Sequence, residues 1–190
     1  MEPKLIKEIL EWVQQGKINI EEAIQKLRGL PYEDLMDAKV DHHRPLRKGY
    51  PETLFCPGKT PDQIVRICKS IMEKNTDVLA TRCDKEVFEI IKEKIPEAKY
   101  HESARVFTVI QKTILYREGY IAVVSAGTGD IPVAEESAVT CETYGSRVER
   151  IYDVGVAGIH RLFDQLPKIR SAVAVIVCAG MEGALPSVVA

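Results

Sequence analysis

The chain has 190 residues, of which 45% are hydrophobic and 28% charged, with a formal net charge of −2. Such a mixture belongs to a globular chain rather than a disordered or fibrous one, and its charge gives no broad basic surface for nucleic acid. No apolar run is long enough for a membrane span, and five cysteines without a CxxC pair read as reduced thiols of a cytoplasmic protein with no structural zinc.

Leu5, Ile6, Ile9, Leu10 and Val13 recur at helical spacing until Gly16. A second short helix starts at Asn19, which can cap it while Glu22 occupies the capping-box position; Gly29 is its stop. Two such short helices are expected to dock elsewhere or fray. Residues 31–60 read as irregular. Thr60-Pro61-Asp62-Gln63 then opens a third helix, with Ile64, Ile67, Cys68, Ile71 and Met72 as its buried face. Strands at Val78–Thr81 and Ala104–Ile110 flank a helix over 84–94, which predicts a small α/β amino-terminal domain, 1–116.

Beyond Gly119 the pattern becomes strand–helix repetition. Strands are predicted at Tyr120–Ala126, Arg147–Asp153 and Ala172–Cys178, with helices over 131–145, near 158–168 and from about Glu182. Near-continuous apolar strands predict a parallel sheet buried on both faces, forming a second domain over 117–190. Three strands are few for such a sheet, so this domain is expected to be incomplete at its carboxyl end.

Some patterns are decoys. Gly58-Lys59-Thr60 lacks the earlier glycine of a phosphate loop, because Thr53 stands there. Gly127-Thr128-Gly129 lacks the third glycine of a dinucleotide fingerprint, since Pro132 takes that place. Asp41-His42-His43-Arg44 reads as a polar loop ion-paired through Arg44 and Arg47 rather than a metal site. Cys178, at a strand end with no visible activating partner, reads as a buried cysteine.

Chemistry concentrates after the three later strands. Gly127, Thr128, Gly129 and Asp130 precede a proline-opened helix, where outward amide groups and the helix dipole suit an anion. His160 and Arg161 can neutralise phosphate or carboxylate, or can be solvated residues early in a helix. Asp130 can cap its helix or bind a ribose or water, and Glu182, between Gly180-Met181 and Gly183, can be a base or simply pair with a helix dipole. Ligand sites in open α/β sheets lie at the strands' carboxyl ends, so the three loops should converge.

Three segments carry a resemblance: Ala126-Gly-Thr-Gly-Asp-Ile-Pro-Val-Ala-Glu-Glu136, Asp153-Val-Gly-Val-Ala-Gly-Ile-His-Arg-Leu162 and Ala179-Gly-Met-Glu-Gly-Ala-Leu-Pro-Ser-Val-Val189. Together with Asp41-His-His-Arg44, Arg47-Lys-Gly-Tyr-Pro-Glu52 and Gly58-Lys-Thr-Pro61, they resemble the LarB family, the PurE-related carboxylase/hydrolases of nickel-pincer nucleotide cofactor synthesis. The resemblance implies an α/β fold: a small α/β amino-terminal domain, then a PurE-like parallel three-layer domain of flavodoxin/Rossmann type. It also implies a homo-octamer with sites between subunits.

The substrates so implied are nicotinic acid adenine dinucleotide and carbon dioxide. The products are AMP and pyridinium-3,5-biscarboxylic acid mononucleotide. Gly127, Thr128, Gly129, Asp130, His160, Arg161, Gly180 and Met181 would bind the nucleotide, and Glu182 would remove the ring proton. No tightly bound cofactor is implied, and a divalent cation such as Mg2+ is the one candidate assistant of hydrolysis. The family's nucleophilic cysteine lies well beyond the Ala-Gly-Met-Glu-Gly segment, so the resemblance implies that it falls beyond Ala190 and that residues 1–190 alone are expected to be inactive. The rivals are a PurE-type aminoimidazole ribonucleotide mutase, disfavoured because Ala184 stands where that family has histidine, and a nucleotide-binding module without catalysis.

Overall fold

The structure, a computed structural model, describes residues 3–28, 33–42 and 44–190. Helix α1 (Pro3–Gln14) ends at Gly16, and α2 (Ile20–Arg28) begins with the expected reciprocal cap: Glu22 N–H donates to Asn19 Oδ1 and Asn19 N–H to Glu22 Oε2. The two helices pack on each other around Ile9 and Ala23, while Leu10, Ile20 and Ile24 stay exposed. Gly29, the predicted stop, lies outside the described residues.

Residues 33–55 are more ordered than their composition predicts. They form a hairpin of β1 (Glu33–Asp34) and β2 (Lys39–Val40), a short helix α3 (Arg44–Lys48) and β3 (Leu54–Phe55). Elements this short carry too little periodicity to register in a sequence. The expected pairing of the polar loop through Arg47 rests on a side chain that is not described, but two other contacts of the loop are. Asp41 N–H donates to Glu52, and His42 is buried against Glu33 and Ser70. His43 and the side chain of Arg47 lie outside the described residues.

Helix α4 (Pro61–Glu73) has Thr60 as N-cap and Gln63 completing the capping box, and Ile64, Ile67, Cys68 and Ile71 are buried as expected. Then follow β4 (Val78–Thr81), α5 (Lys85–Lys94), β5 (Lys99–His101) and β6 (Val106–Val109). β5 has no clear apolar signature in the sequence. The sheet order is β3-β4-β6-β5, with β3 and β4 parallel and the remaining pairs antiparallel. α4 and α5 cover one face through Ile64, Cys68, Phe88 and Ile91 packed on Val78, Ala80 and Phe107.

The second sheet is made of β7 (Ile121–Ser125), β8 (Val148–Ile151) and β9 (Ala174–Cys178), all parallel, in the order β8-β7-β9. Its helices are α6 (Ile131–Thr143), α7 (Ile159–Ser171) and α8 (Ala184–Val189). Side chains alternate along β7. Ala122 and Val124 face α7 and α8 through Leu162, Ile169 and Leu185, whereas Val123 faces Ala134 and Ala138 of α6.

α6 is shared by both sheets. Its other side packs Val139, with the capping Tyr144, against Leu79 and Val106 of the first sheet and Ala104 of the turn before β6. The layers are therefore α4/α5, mixed sheet, α6, parallel sheet, α7/α8. Small alanines on α6 let the parallel sheet approach closely. Arg150 of β8 locks the same helix by gripping Glu142 at 2.6 and 2.9 Å and Glu135 at 3.1 Å.

One expectation needs correction. The parallel strands are not all buried on both faces: β7 is, but β8 and β9 are the sheet's edges, and Val173 beside β9 is 69% exposed. Apolar sequence reported strand identity here, not burial.

Candidate active-site crevice

The order β8-β7-β9 means that the chain leaves β7 toward one neighbour and later returns to the other side. The connections diverge between the carboxyl ends of β7 and β9, with α6 on one face and α7/α8 on the opposite one. Such a switch point leaves a crevice where loops can surround a ligand.

Three loops meet there. The turn after β7 (Thr128–Asp130) folds back so that Gly127 N–H donates to Asp130 Oδ2 at 2.9 Å. The other carboxylate oxygen of Asp130 faces Gly180, 3.9 Å from the position a Cβ there would occupy, which joins the first loop to the third. Ala126 N–H donates to Cys178 C=O at 3.0 Å beneath them. The loop after β8 closes on the first through Val154 N–H to Ser125 C=O and Gly155 N–H to Ala126 C=O, at 3.1 and 2.8 Å. A Cβ at Gly155 would stand 2.8 Å from that carbonyl oxygen, so only glycine allows this approach.

The expected site residues divide by placement. Gly127, Asp130 and Gly180 are brought together, with Thr128 and Gly129 exposed on the turn above. Arg161 bends back within its own loop: its Nη1 donates to Asp153 Oδ2 at 2.5 Å, and its guanidinium lies against Gly158. His160 is exposed beside it at the start of α7. Met181 and Glu182 form an exposed turn, and Met181, Glu182 and Gly183 all have positive φ, at 28°, 43° and 68°. Left-handed backbone at two successive non-glycine residues is strained, and strain of this kind gathers at sites where a side chain must be aimed.

Sequence reasoning passed over Ser125, Asp153 and Gly155 as site builders. Ser125 is fully buried, and its Oγ accepts from the backbone N–H of Asp153, itself at φ 58°. Asp153 in turn holds Arg161. The visible signal was their place at strand ends, Asp153 two residues before a glycine. Tyr152 is tied to Glu135 by its hydroxyl at 2.9 Å, and burial followed by that carboxylate pushes the phenol's pKa up.

Other clusters fit the chemistry less well. Cys178 is buried under the crevice; burial raises its thiol's pKa, a Ser137 hydrogen bond opposes that, and the Asp130 charge adds to the rise. This is a protonated packing thiol, not a nucleophile. Ser70 Oγ, His42 Nε2 and Glu33 Oε2 lie 2.8–3.2 Å apart, but all converge on one ring nitrogen and one oxygen. A nucleophilic triad needs its carboxylate on the imidazole's other side. A cavity of about 570 Å³ also lies elsewhere, between α1 and the turn Lys74–Asp77. A groove of about 450 Å³ does border the site, lined by Asp153, Arg161, Asp164 and Gln165.

Residues 32–112, which include the whole mixed sheet, match the LarB/PurE-like N-terminal domain. The chain is also 36% identical to an uncharacterized protein of Methanocaldococcus jannaschii over 196 aligned positions, which cover 98% of this chain and 77% of that one. With the PurE-like α/β architecture and the strand-end loops in place, the chain belongs to the LarB family, which includes carboxylases.

Proposed function

We propose that the crevice between β7 and β9 binds nicotinic acid adenine dinucleotide, and that the protein carboxylates its pyridinium ring and hydrolyses its phosphoanhydride. The products are pyridinium-3,5-biscarboxylic acid mononucleotide and AMP. The observation that carries this reading is the junction of Gly127, Asp130 and Gly180 at the switch point, with the strained turn of Glu182 on its rim.

In this reading the amides of Thr128 and Gly129, with the side chains of His160 and Arg161, receive phosphate, since the Gly127 and Asp130 amides are used within the turn itself. Asp153 holds part of Arg161's charge, so the ligand takes the guanidinium donors that the pair leaves open. A pyridinium ring is a poor carbon nucleophile. Addition of a thiolate makes it a neutral, enamine-like dihydropyridine whose ring carbon can attack carbon dioxide. Glu182 then accepts the proton from that carbon as the thiolate leaves, restoring the aromatic cation. Water separately cleaves the phosphoanhydride.

The thiolate in this scheme is not Cys178, whose burial keeps it protonated. The scheme places the thiolate in the segment following the third loop in the family. Among the described residues no group of three or more His, Cys, Asp or Glu side chains is arranged to hold a metal ion. In this proposal Mg2+ would be held through the substrate's phosphates, and no step is assigned to it.

The test is incubation of the native protein with the dinucleotide and 13C-labelled bicarbonate, followed by mass spectrometry. One labelled carboxylate on the released mononucleotide, with equimolar AMP, is expected. Glu182→Gln should remove the label while dinucleotide binding persists. Labelling of aminoimidazole ribonucleotide instead would overturn the proposal in favour of the purine-type reaction.

A further inference from the structure

The carboxyl ends of β3 and β4 open on the same end of the molecule as the crevice. Thr53, at the amino end of β3, bonds Tyr144 at the carboxyl end of α6 at 2.8 Å. Arg82, just past the carboxyl end of β4, instead reaches Glu136 in the amino half of α6 at 3.5 Å. β4 thus runs antiparallel to α6. Because α6 starts at the carboxyl end of β7, β4 and β7 point the same way. Only that helix, about 10–12 Å across with its side chains, separates the two sets of strand ends.

What the first sheet presents there is unusual for a surface. Phe55, the last residue of β3, is 48% exposed. The Arg82 guanidinium lies 5.6 Å from its ring centroid, and Arg82 has a left-handed backbone, φ 53°. Lys59 Nζ donates to the Phe55 carbonyl at 2.7 Å, which holds the strand end in place. An aromatic face, guanidinium donors and a carboxylate acceptor are therefore adjacent. That combination suits a planar base carrying both a ring-nitrogen acceptor and an exocyclic amine, such as adenine.

We propose that Phe55, Arg82 and Glu136 form a second half-site that takes the adenine of the dinucleotide, while its nicotinate half occupies the β7/β9 crevice. The proposal rests on the nucleotide reading above. It gives the amino-terminal domain a role in the reaction: a ligand of two nucleotides spans α6, and a mononucleotide does not. After hydrolysis the adenylate half stays on the first sheet and leaves separately.

Titration of the protein by calorimetry with AMP, inosine monophosphate and nicotinic acid mononucleotide tests this. AMP should bind more tightly than inosine monophosphate, whose base carries oxygen in place of the amine. Phe55→Ala should weaken AMP about tenfold or more, the scale of a lost base–aromatic stack, and leave nicotinic acid mononucleotide unchanged. Phe55→Tyr should retain AMP affinity, and Glu136→Gln should reduce the preference over inosine monophosphate. Equal AMP affinity in wild type and Phe55→Ala, or no AMP binding by the wild type, overturns the half-site. If nicotinic acid mononucleotide still binds, the crevice reading survives that failure; if neither binds, both fall.

Discussion

The two sheets flank one helix yet are built for different ends. The mixed sheet packs Tyr100 and Phe107 against Phe88 of the covering helix α5, which stacks on Tyr100, and its central strands are buried on both faces. The parallel sheet has small and β-branched residues, one fully buried strand and open edges, and its loops touch mainly through backbone. Stability concentrates in the first, while geometry that requires close backbone approach concentrates in the second. A scaffold and a site can thus share a helix without sharing a design.

The largest effect should come from the mixed sheet. Phe107→Ala removes a fully buried ring and should lower unfolding free energy by about 3–5 kcal/mol in urea denaturation. Val123→Ala, equally buried in β7, should cost clearly less. Equal losses would break the division between scaffold and site. Gly155→Ala should cost about 1–3 kcal/mol because its Cβ meets the Ala126 carbonyl, and should weaken nucleotide binding more than Phe107→Ala does. Affinity unchanged in a folded Gly155→Ala protein would separate the second loop from the site. Thr60→Ala removes the α4 cap, for about 1 kcal/mol by the same denaturation, with no change in nucleotide affinity.

The smallest effect concerns pH. His101, at the end of β5, has its pKa lowered below 6.5, first by burial and then by Lys99. The unfolded imidazole therefore takes up a proton before the folded one as pH falls. Its contribution is intact above pH 6.5 and is lost as pH drops from there through the folded value. His101→Gln should flatten that part of a thermal-midpoint profile.

How much was legible follows from the length and regularity of each element. Thr60-Pro61 and Gln63 announced α4 because a capping box has a fixed spacing, and the apolar run before Gly127 announced β7. β3 and β5, two and three residues long, carry no period to detect and exist because partner strands order them. The crevice was legible as loops, since glycines and charges at strand ends stand out. Its joints were not: that Asp130 faces Gly180, that Asp153 restrains Arg161 and that Gly155 meets Ala126 depends on strand order, which pairs residues far apart in sequence. Arg82 beside Glu136 was invisible for the same reason.

The central claim is that nucleotide binds where the carboxyl ends of β7, β8 and β9 meet. Hydrogen exchange of the protein with and without nicotinic acid adenine dinucleotide tests it most directly. The account predicts new protection over 127–130, 158–161 and 179–183. Protection around Leu5 and the turn Lys74–Asp77, at the 570 Å³ cavity, with those three loops unchanged, would contradict it.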